Sequence, residues 1–415
     1  MTAAEKMMLR ATLASAFTPS APVSNIDLFS GRINQLDRVT EAVLQRGQHV
    51  AIYGERGVGK TSLANVLPGQ LEFLSKLDYQ VVRHNCSTTS NFNSIWDGIL
   101  RELAFRRSNS ASTAPHAPVQ VNSYLPADSR PEDIRFLLQQ IGSPVVAIID
   151  EYDRVPKDGL TSGLLADTIK SLSDHAVDAT LVIIGVADSI DDLIAEHKSI
   201  ERALVQVQMP RMSEGELLSI VEKGFGQAGM SIDFDARCQI AVLSQGLPHN
   251  AHELGLRTGY SAVESGNQRA GKNDVEIAIG HAVRNAQQTL VASYCQAIAS
   301  THENIYKEIL LAAALAGTDD LGYFAAGDLR RPLALITSKD YGIDGYMRHL
   351  NSFCEESRGR VLERKGERRR YRFRFSAPIM EPYVILRGIA DGLIGKDKVL
   401  ELETSNIQSS SLSLF

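Results

Sequence analysis

The chain holds one tryptophan, four cysteines and no apolar stretch long enough to cross a bilayer, and each shortage removes a class of protein. Cys86, Cys238, Cys295 and Cys354 stand apart without C-x-x-C spacing, so neither a disulfide framework nor a zinc site is expected, and reduced thiols suit the cytoplasm. The longest apolar runs, Val145–Ile149, Leu181–Ala187 and Ile309–Ala316, fall far short of the roughly eighteen residues a span requires, so no membrane partner is expected. Positive charge is not in excess: 43 Lys and Arg face 49 Asp and Glu, a net charge of −6, so the molecule as a whole is no polyanion binder. Glu5, Lys6 and Arg10 interrupt the apolar core that a secretion signal needs, and residues 1–27 read as a flexible leader. What remains is an ordinary globular composition, 44% hydrophobic and 22% charged over 415 residues, enough for two or three domains.

Against that plain background one stretch stands out. Gly54-Glu55-Arg56-Gly57-Val58-Gly59-Lys60-Thr61-Ser62 follows the apolar run His49–Tyr53 and opens a helical pattern. A glycine-rich loop between a buried strand and a helix lets backbone amides wrap a phosphate tail, because no Cβ intrudes. The helix N-terminus adds its positive dipole end, Lys60 reaches the β- and γ-phosphates, and the Thr61 hydroxyl completes a Mg²⁺ shell. The pattern G-x-x-x-x-G-K-[ST] in this setting implies a nucleoside triphosphate.

A second apolar run, Val145–Ile149, ends in Asp150-Glu151. It predicts a strand buried on both faces, with Asp150 orienting Mg²⁺ and Glu151 placed to polarise an attacking water. A third, Thr180–Ala187, ends in Asp188-Ser189, where Asp188 either senses the γ-phosphate or helps cap the helix that follows. Strand and helix alternate through residue 210, the pattern of a parallel α/β sheet.

With these parts in this order, the chain resembles AAA+ P-loop ATPases, and within them the Orc1/Cdc6-like branch, to which STAND signalling ATPases are close, over roughly residues 28–390. The resemblance implies an α/β P-loop core at 28–211, an all-α lid at 212–292 and a C-terminal winged helix at 293–395, while composition predicts a flexible, Ser-, Ala- and Pro-rich insertion at 106–130 and a disordered tail at 396–415. The resemblance also implies ATP or ADP with Mg²⁺ as cofactors, Arg32 in a turn against the adenine, and Arg202 as an arginine finger offered to a neighbouring copy in a nucleotide-dependent homo-oligomer; the plainer alternative for Arg202 is a surface ion pair. His249 stands at the start of the helix that carries the sensor-2 arginine in that family, a departure from pattern that leaves Arg257 as an alternative.

Toward the C-terminus charge reappears in concentrated form. Between Arg358 and Arg374 nine basic residues face two acidic ones, a local +7 that leaves the remainder of the chain at −13. The segment alternates apolar and polar residues around Lys365-Gly366-Glu367, which predicts a hairpin with Arg364, Lys365, Arg368, Arg369 and Arg370 at its tip. Such a tip is an electrostatic footprint for a phosphate backbone, and Tyr346, Arg348, His349 and Asn351 on the preceding helix are candidates for a DNA groove. Together these features predict a slow Mg-dependent ATPase switch that couples nucleotide state to DNA engagement. The alternative is a STAND-like signalling, defence or mobile-element ATPase whose C-terminal domain binds a protein effector.

Overall fold

The computed structural model describes residues 1–23, 29–75, 77–105, 121–194, 197–300, 304–367 and 370–402. The chain divides into two compact units: Pro22–Glu55 with Gly59–Met209, and Met1–Ala21 with Arg56–Val58 and Pro210–Phe415.

The first unit is built on five strands, β1 (His49–Gly54), β2 (Gln80–Asn85), β3 (Val145–Asp150), β4 (Ala179–Val186) and β5 (Leu204–Gln208). They form one parallel sheet in the order β2-β3-β4-β1-β5. All six residues of β3 are buried, as a β-branched run in a central parallel strand must be. Helices Phe92–Glu102, Pro131–Gln140 and Leu160–Asp174 contribute Trp96, Ile99, Leu137 and Leu165 to the core against Ile149, Leu181 and Ile183. Because β4 lies between β1 and β3, the chain leaves β1 and β3 at the same edge on either side of β4, and parallel sheets bind ligands at such carboxyl edges.

The expected insertion at 106–130 is only partly described. Residues 106–120 lie outside the described residues, whereas 121–130 are packed: Val121 is fully buried and Asn122 Nδ2 donates to Asp97 Oδ1 at 3.0 Å. An apolar anchor and a polar tie fix that half to the helix Phe92–Glu102, so the flexible reading does not hold there.

The second unit corrects the leader. Residues 3–16 form a helix, capped by a reciprocal Thr2/Glu5 box, that packs on the helices Glu214–Gln227 and Pro248–Glu264. Leu9, Leu13 and Phe17 recur at helical spacing, and Leu13 and Phe17 are buried. The Phe17 ring fills a slot between two glycines: a Cβ on Gly224 would stand 2.3 Å from the ring and one on Gly255 2.6 Å. Of the charged residues that argued against a secretion signal, Glu5 serves the cap, while Lys6 donates to Glu264 O at 2.6 Å and Arg10 pairs with Glu264 and lies over the Tyr260 ring, so both tie this helix to Pro248–Glu264.

Four helices follow where an all-α lid was expected: Glu214–Gln227, Phe234–Leu243, Pro248–Glu264 and Lys272–Arg284. Two short parallel strands, β6 (Ser231–Ile232) and β7 (Arg269–Ala270), pair among them. The last of them ends at Arg284, capped by Asn285, and a new helix, Gln288–Ile298, begins inside the span 212–292 expected for the lid.

Beyond Tyr306–Ala314 come β8 (Phe324–Ala325), helices Arg330–Thr337 and Ile343–Phe353, and the hairpin β9 (Leu362–Lys365) with β10 (Arg372–Phe375). The order β8-β10-β9, antiparallel throughout, with three helices fits a winged helix. Residues 324–329 are a short strand and a 3₁₀ turn, and the helix Arg330–Thr337 follows directly. Its Pro332 lies in the first turn, where a missing N–H costs no hydrogen bond.

The lid and this module share one hydrophobic core running from Val221 to Phe375. The helix Lys272–Arg284 packs on Met380–Ala390, and the nearly buried Arg211 and Glu381 form an ion pair at 2.8 Å. They therefore form one unit rather than two domains. Of the expected disordered tail, residues 396–402 are helical with Val399 and Leu402 buried, and 403–415 lie outside the described residues.

Candidate functional site

β1 ends in Gly54, whose φ of +150° and contact with the neighbouring strand exit admit no side chain: a Cβ there would stand 2.3 Å from Met209 O. The loop then turns into the helix Lys60–Leu74 through Gly59, in the left-handed region at φ +99°. Gly57 also has positive φ, and the space its Cβ would take is open. Lys60 is buried, and its Nζ donates to Gly54 O at 2.9 Å and Glu55 O at 2.7 Å, which folds the lysine back along its own loop. Ser62 Oγ accepts from Val23 N at 3.1 Å, and Arg56 is exposed while Val58 is buried.

The carboxyl end of β3 meets this helix. Thr61 Oγ1 donates to Asp150 Oδ2 at 3.1 Å, and the Asp150 side chain is 3% exposed. Its other oxygen, Oδ1, accepts from the Glu151 amide at 2.7 Å. Glu151 itself sits in the left-handed region at φ 53°, a conformation that costs a glutamate about 1 kcal/mol or more and is found mainly where function requires it. Its carboxylate is half-exposed and pairs with Arg154 at 2.8 Å. Burial, then the negative charges of Asp150, Asp153 and Glu151, push the neighbouring Cys86 thiol up to about 12, so it is inert as a nucleophile.

At the end of β4, Asp153 Oδ1 accepts from Val186 N at 2.8 Å and ties that strand exit to the β3 loop. Asp188 follows, half-buried, while Ser189 and not Asp188 caps the helix Ile190–Leu193 by accepting from Asp192 N. Arg32 is buried and takes the left-handed conformation at the start of the helix Ile33–Leu44.

Arg202 precedes β5, which begins beside the start of β1, whereas the glycine loop leaves the end of β1; at about 3.3 Å per residue the two are separated by about 17 Å along the strand. Arg202 does not reach the site of its own chain. His249 donates from Nδ1 to Pro19 O at 2.6 Å, and Arg257 pairs with Glu253 at 2.9 Å. The neighbouring His252 accepts from Thr18 N, and burial and then His249 hold its imidazole down to about 4.

One residue of the site was missed. Arg83, in β2, sets its guanidinium on Asp150 Oδ2 while donating to Asn65 Oδ1 at 2.6 Å and Asn85 Oδ1 at 3.1 Å. A strand arginine two residues before the strand end was the available signal, but only the β2–β3 register places it beside Asp150.

In the basic module the nine charges are not equally available. Arg372 pairs with Asp319 at 3.1 Å, Arg374 with Glu363, and Arg358 lies over the Tyr306 ring at 4.0 Å. Arg364, Lys365 and Arg370 are exposed at the hairpin, with Arg364 bonded to Asn351 at 2.7 Å; Arg368 and Arg369 lie outside the described residues. On the preceding helix Arg348 is exposed, but Tyr346 is fully buried with its hydroxyl on Ala326 O, and His349 packs edge-on against Tyr306. Tyr346 thus belongs to the core and cannot read a groove, while His349 is partly covered by Tyr306.

The glycine loop, the buried lysine, and a hydroxyl meeting a buried carboxylate form a donor set that fits the phosphates of a nucleotide and a Mg²⁺ ion. A family model described as an AAA domain matches residues 43–194. The Holliday junction branch migration complex subunit RuvB of Latilactobacillus sakei is 27% identical over 271 residues, and the match spans 61% of this chain and 65% of that protein's length. A Walker-type ATPase of Pyrococcus abyssi has a similar fold, with a TM-score of 0.50 at 12% identity over 88% of this chain and 98% of that one. The Orc1 protein of Aeropyrum pernix, solved in complex with DNA, aligns over 92% of this chain and 97% of its own at 16% identity and a TM-score of 0.49.

Proposed function

We propose, on the premise that residues 43–194 of this chain are an AAA domain, that the protein is an ATP-binding and hydrolysing switch of the Orc1/Cdc6-like kind whose basic C-terminal module engages DNA. The observation that carries the nucleotide half is the meeting of Thr61 with Asp150 at 3.1 Å beside the buried Lys60. A Mg²⁺ ion held through Thr61 and Asp150 would supply charge neutralisation at the phosphates. The chain's own groups do the rest: Gly54–Ser62 wrap the phosphates, Lys60 leaves its loop carbonyls for them, and Thr61 and Asp150 hold the metal's shell. Glu151 takes the proton of the attacking water, Asp188 senses the terminal phosphate, and Arg32 lines the adenine. His249 reports nucleotide state from the lid.

Arg202, remote from its own chain's glycine loop, serves a neighbouring copy in a nucleotide-dependent homo-oligomer. DNA engagement is supported by the exposed tip at Arg364, Lys365 and Arg370 and by a relative named for Holliday junction branch migration. No described helix is long and apolar enough to cross a membrane. A cytoplasmic setting is supported by the four free cysteines.

The test is binding of a labelled DNA duplex by anisotropy across a salt series, with Mg·ATP and with Mg·ADP. Replacing Arg364, Lys365 and Arg370 together by alanine is expected to weaken binding at least about tenfold and to flatten the salt slope by about 0.9 per lost phosphate contact. Binding unchanged by that triple substitution and by nucleotide would remove the DNA half of the proposal.

A further inference from the structure

The carboxylate that orients the metal already has a cation. Asp150 is 3% exposed, and a carboxylate so buried is costly unless charge and hydrogen bonds compensate it. Its oxygens are engaged by the Glu151 amide, the Thr61 hydroxyl and the Arg83 guanidinium, which leaves little lone-pair capacity for anything else. Arg83 is not a surface side chain that happens to fall there. Asn65, one turn beyond Thr61 on the helix after the glycine loop, takes its Nη1, and Asn85, at the end of its own strand, takes its Nε. Each nitrogen of the planar fork is thus directed by an acceptor from a different element, an arrangement a lysine cannot reproduce.

We propose that Arg83 is the standing counter-charge of Asp150 and competes with Mg²⁺ for it, so that metal enters the nucleotide site only as the guanidinium yields the carboxylate. Arg83 is a positioning residue: it acts through Asp150, and its consequence is the metal concentration at which nucleotide binding becomes metal-dependent. A divalent cation within the shell of Asp150 and Thr61 would lie within a few ångströms of the guanidinium in a low-dielectric setting, where like charges repel strongly. The site therefore favours metal-free nucleotide when Mg²⁺ is scarce and converts to the Mg²⁺ form over a range that Arg83 sets.

This inference rests on nucleotide binding at the glycine loop, and its test separates the two. Polarisation of a fluorescent ADP analogue is followed against Mg²⁺ concentration and also with chelator, for the full chain, Arg83→Gln, Arg83→Lys and Asn65→Ala. Arg83→Gln is expected to lower the half-saturating Mg²⁺ on the order of tenfold while metal-free affinity changes less than about threefold, the scale of one charge-assisted hydrogen bond lost. Arg83→Lys, which keeps the charge but loses the fork, and Asn65→Ala, which loses one of its acceptors, both shift in the same direction as Arg83→Gln by smaller factors. An unchanged or raised Mg²⁺ midpoint in Arg83→Gln overturns the inference, and if that variant does not fold, an unchanged midpoint in Asn65→Ala does so. If the parent chain binds no nucleotide under either condition, the proposed function falls and takes this inference with it. Nucleotide binding with one common Mg²⁺ midpoint defeats this inference alone.

Discussion

The nucleotide-handling unit and the basic C-terminal module place charge in opposite ways. In the first, Lys60 and Asp150 are buried, and Asp150, Thr61 and Arg83 each have a designated partner within hydrogen-bond range. In the second, Arg364, Lys365 and Arg370 face solvent, and their neighbours Arg372 and Arg374 are partly neutralised by Asp319 and Glu363. Buried charges interact strongly and directionally, so each is indispensable; exposed charges are screened and act as a sum, so each is replaceable. The difference teaches that single substitutions should disable the first region, while the second should yield only to combinations.

The sharpest way to break that comparison is Lys60→Ala. It removes the cation from the phosphate loop and leaves Gly54 O and Glu55 O without the donor they have now. Nucleotide affinity by calorimetry should fall by about a hundredfold or more, the cost of a lost charged hydrogen-bond donor at a multiply charged ligand. Affinity within a few-fold of the parent would mean that this buried charge is as dispensable as a surface one. Next in size is Glu151→Gln, which keeps the side chain's shape but removes the proposed base. Turnover should drop by a factor of about 10² to 10⁴ while ATP still binds. Equal turnover would place the proton acceptor elsewhere.

The same contrast governs what the sequence made legible. The glycine loop, β3 with Asp150-Glu151 and β4 with Asp188 were readable because backbone geometry dictates residue type there: only glycine survives 2.3 Å from Met209 O, and only β-branched and apolar residues fill a strand buried on both faces. Arg83 was not readable, since its role exists only through the β2–β3 register and through Asn65 on the helix after the glycine loop; Asn85, on its own strand, carries no signal alone. The leader was misread because an amphipathic helix of Leu9, Leu13 and Phe17 needs a receiving surface, and the Gly224 and Gly255 slot lies more than two hundred residues away. The helix Ile343–Phe353 was legible only in part. Its spacing shows which residues share a face, but not that Tyr346 and His349 lie on the inner one.

The smallest effect expected is on stability, and it sets one buried histidine from each unit against the other. His49 in β1 is fully buried and accepts from Leu181 N at 3.0 Å; burial holds its imidazole down to about 3, against an ordinary 6.5. His252, on the helix Pro248–Glu264, is held down to about 4. In both cases the unfolded chain takes up the proton first. Stability is therefore complete above pH 6.5 and is lost as pH falls toward the folded values, by about 1 kcal/mol per histidine over the first pH unit below 6.5. Hydrogen exchange read separately for β1 and β4 and for the helix Pro248–Glu264 should show both regions weakening together on acidification. In His49→Gln, which retains an acceptor but does not titrate, the sheet should lose its pH dependence while the helix keeps its own. Identical pH slopes for the sheet in His49→Gln and the parent would show that its acid sensitivity arises outside β1.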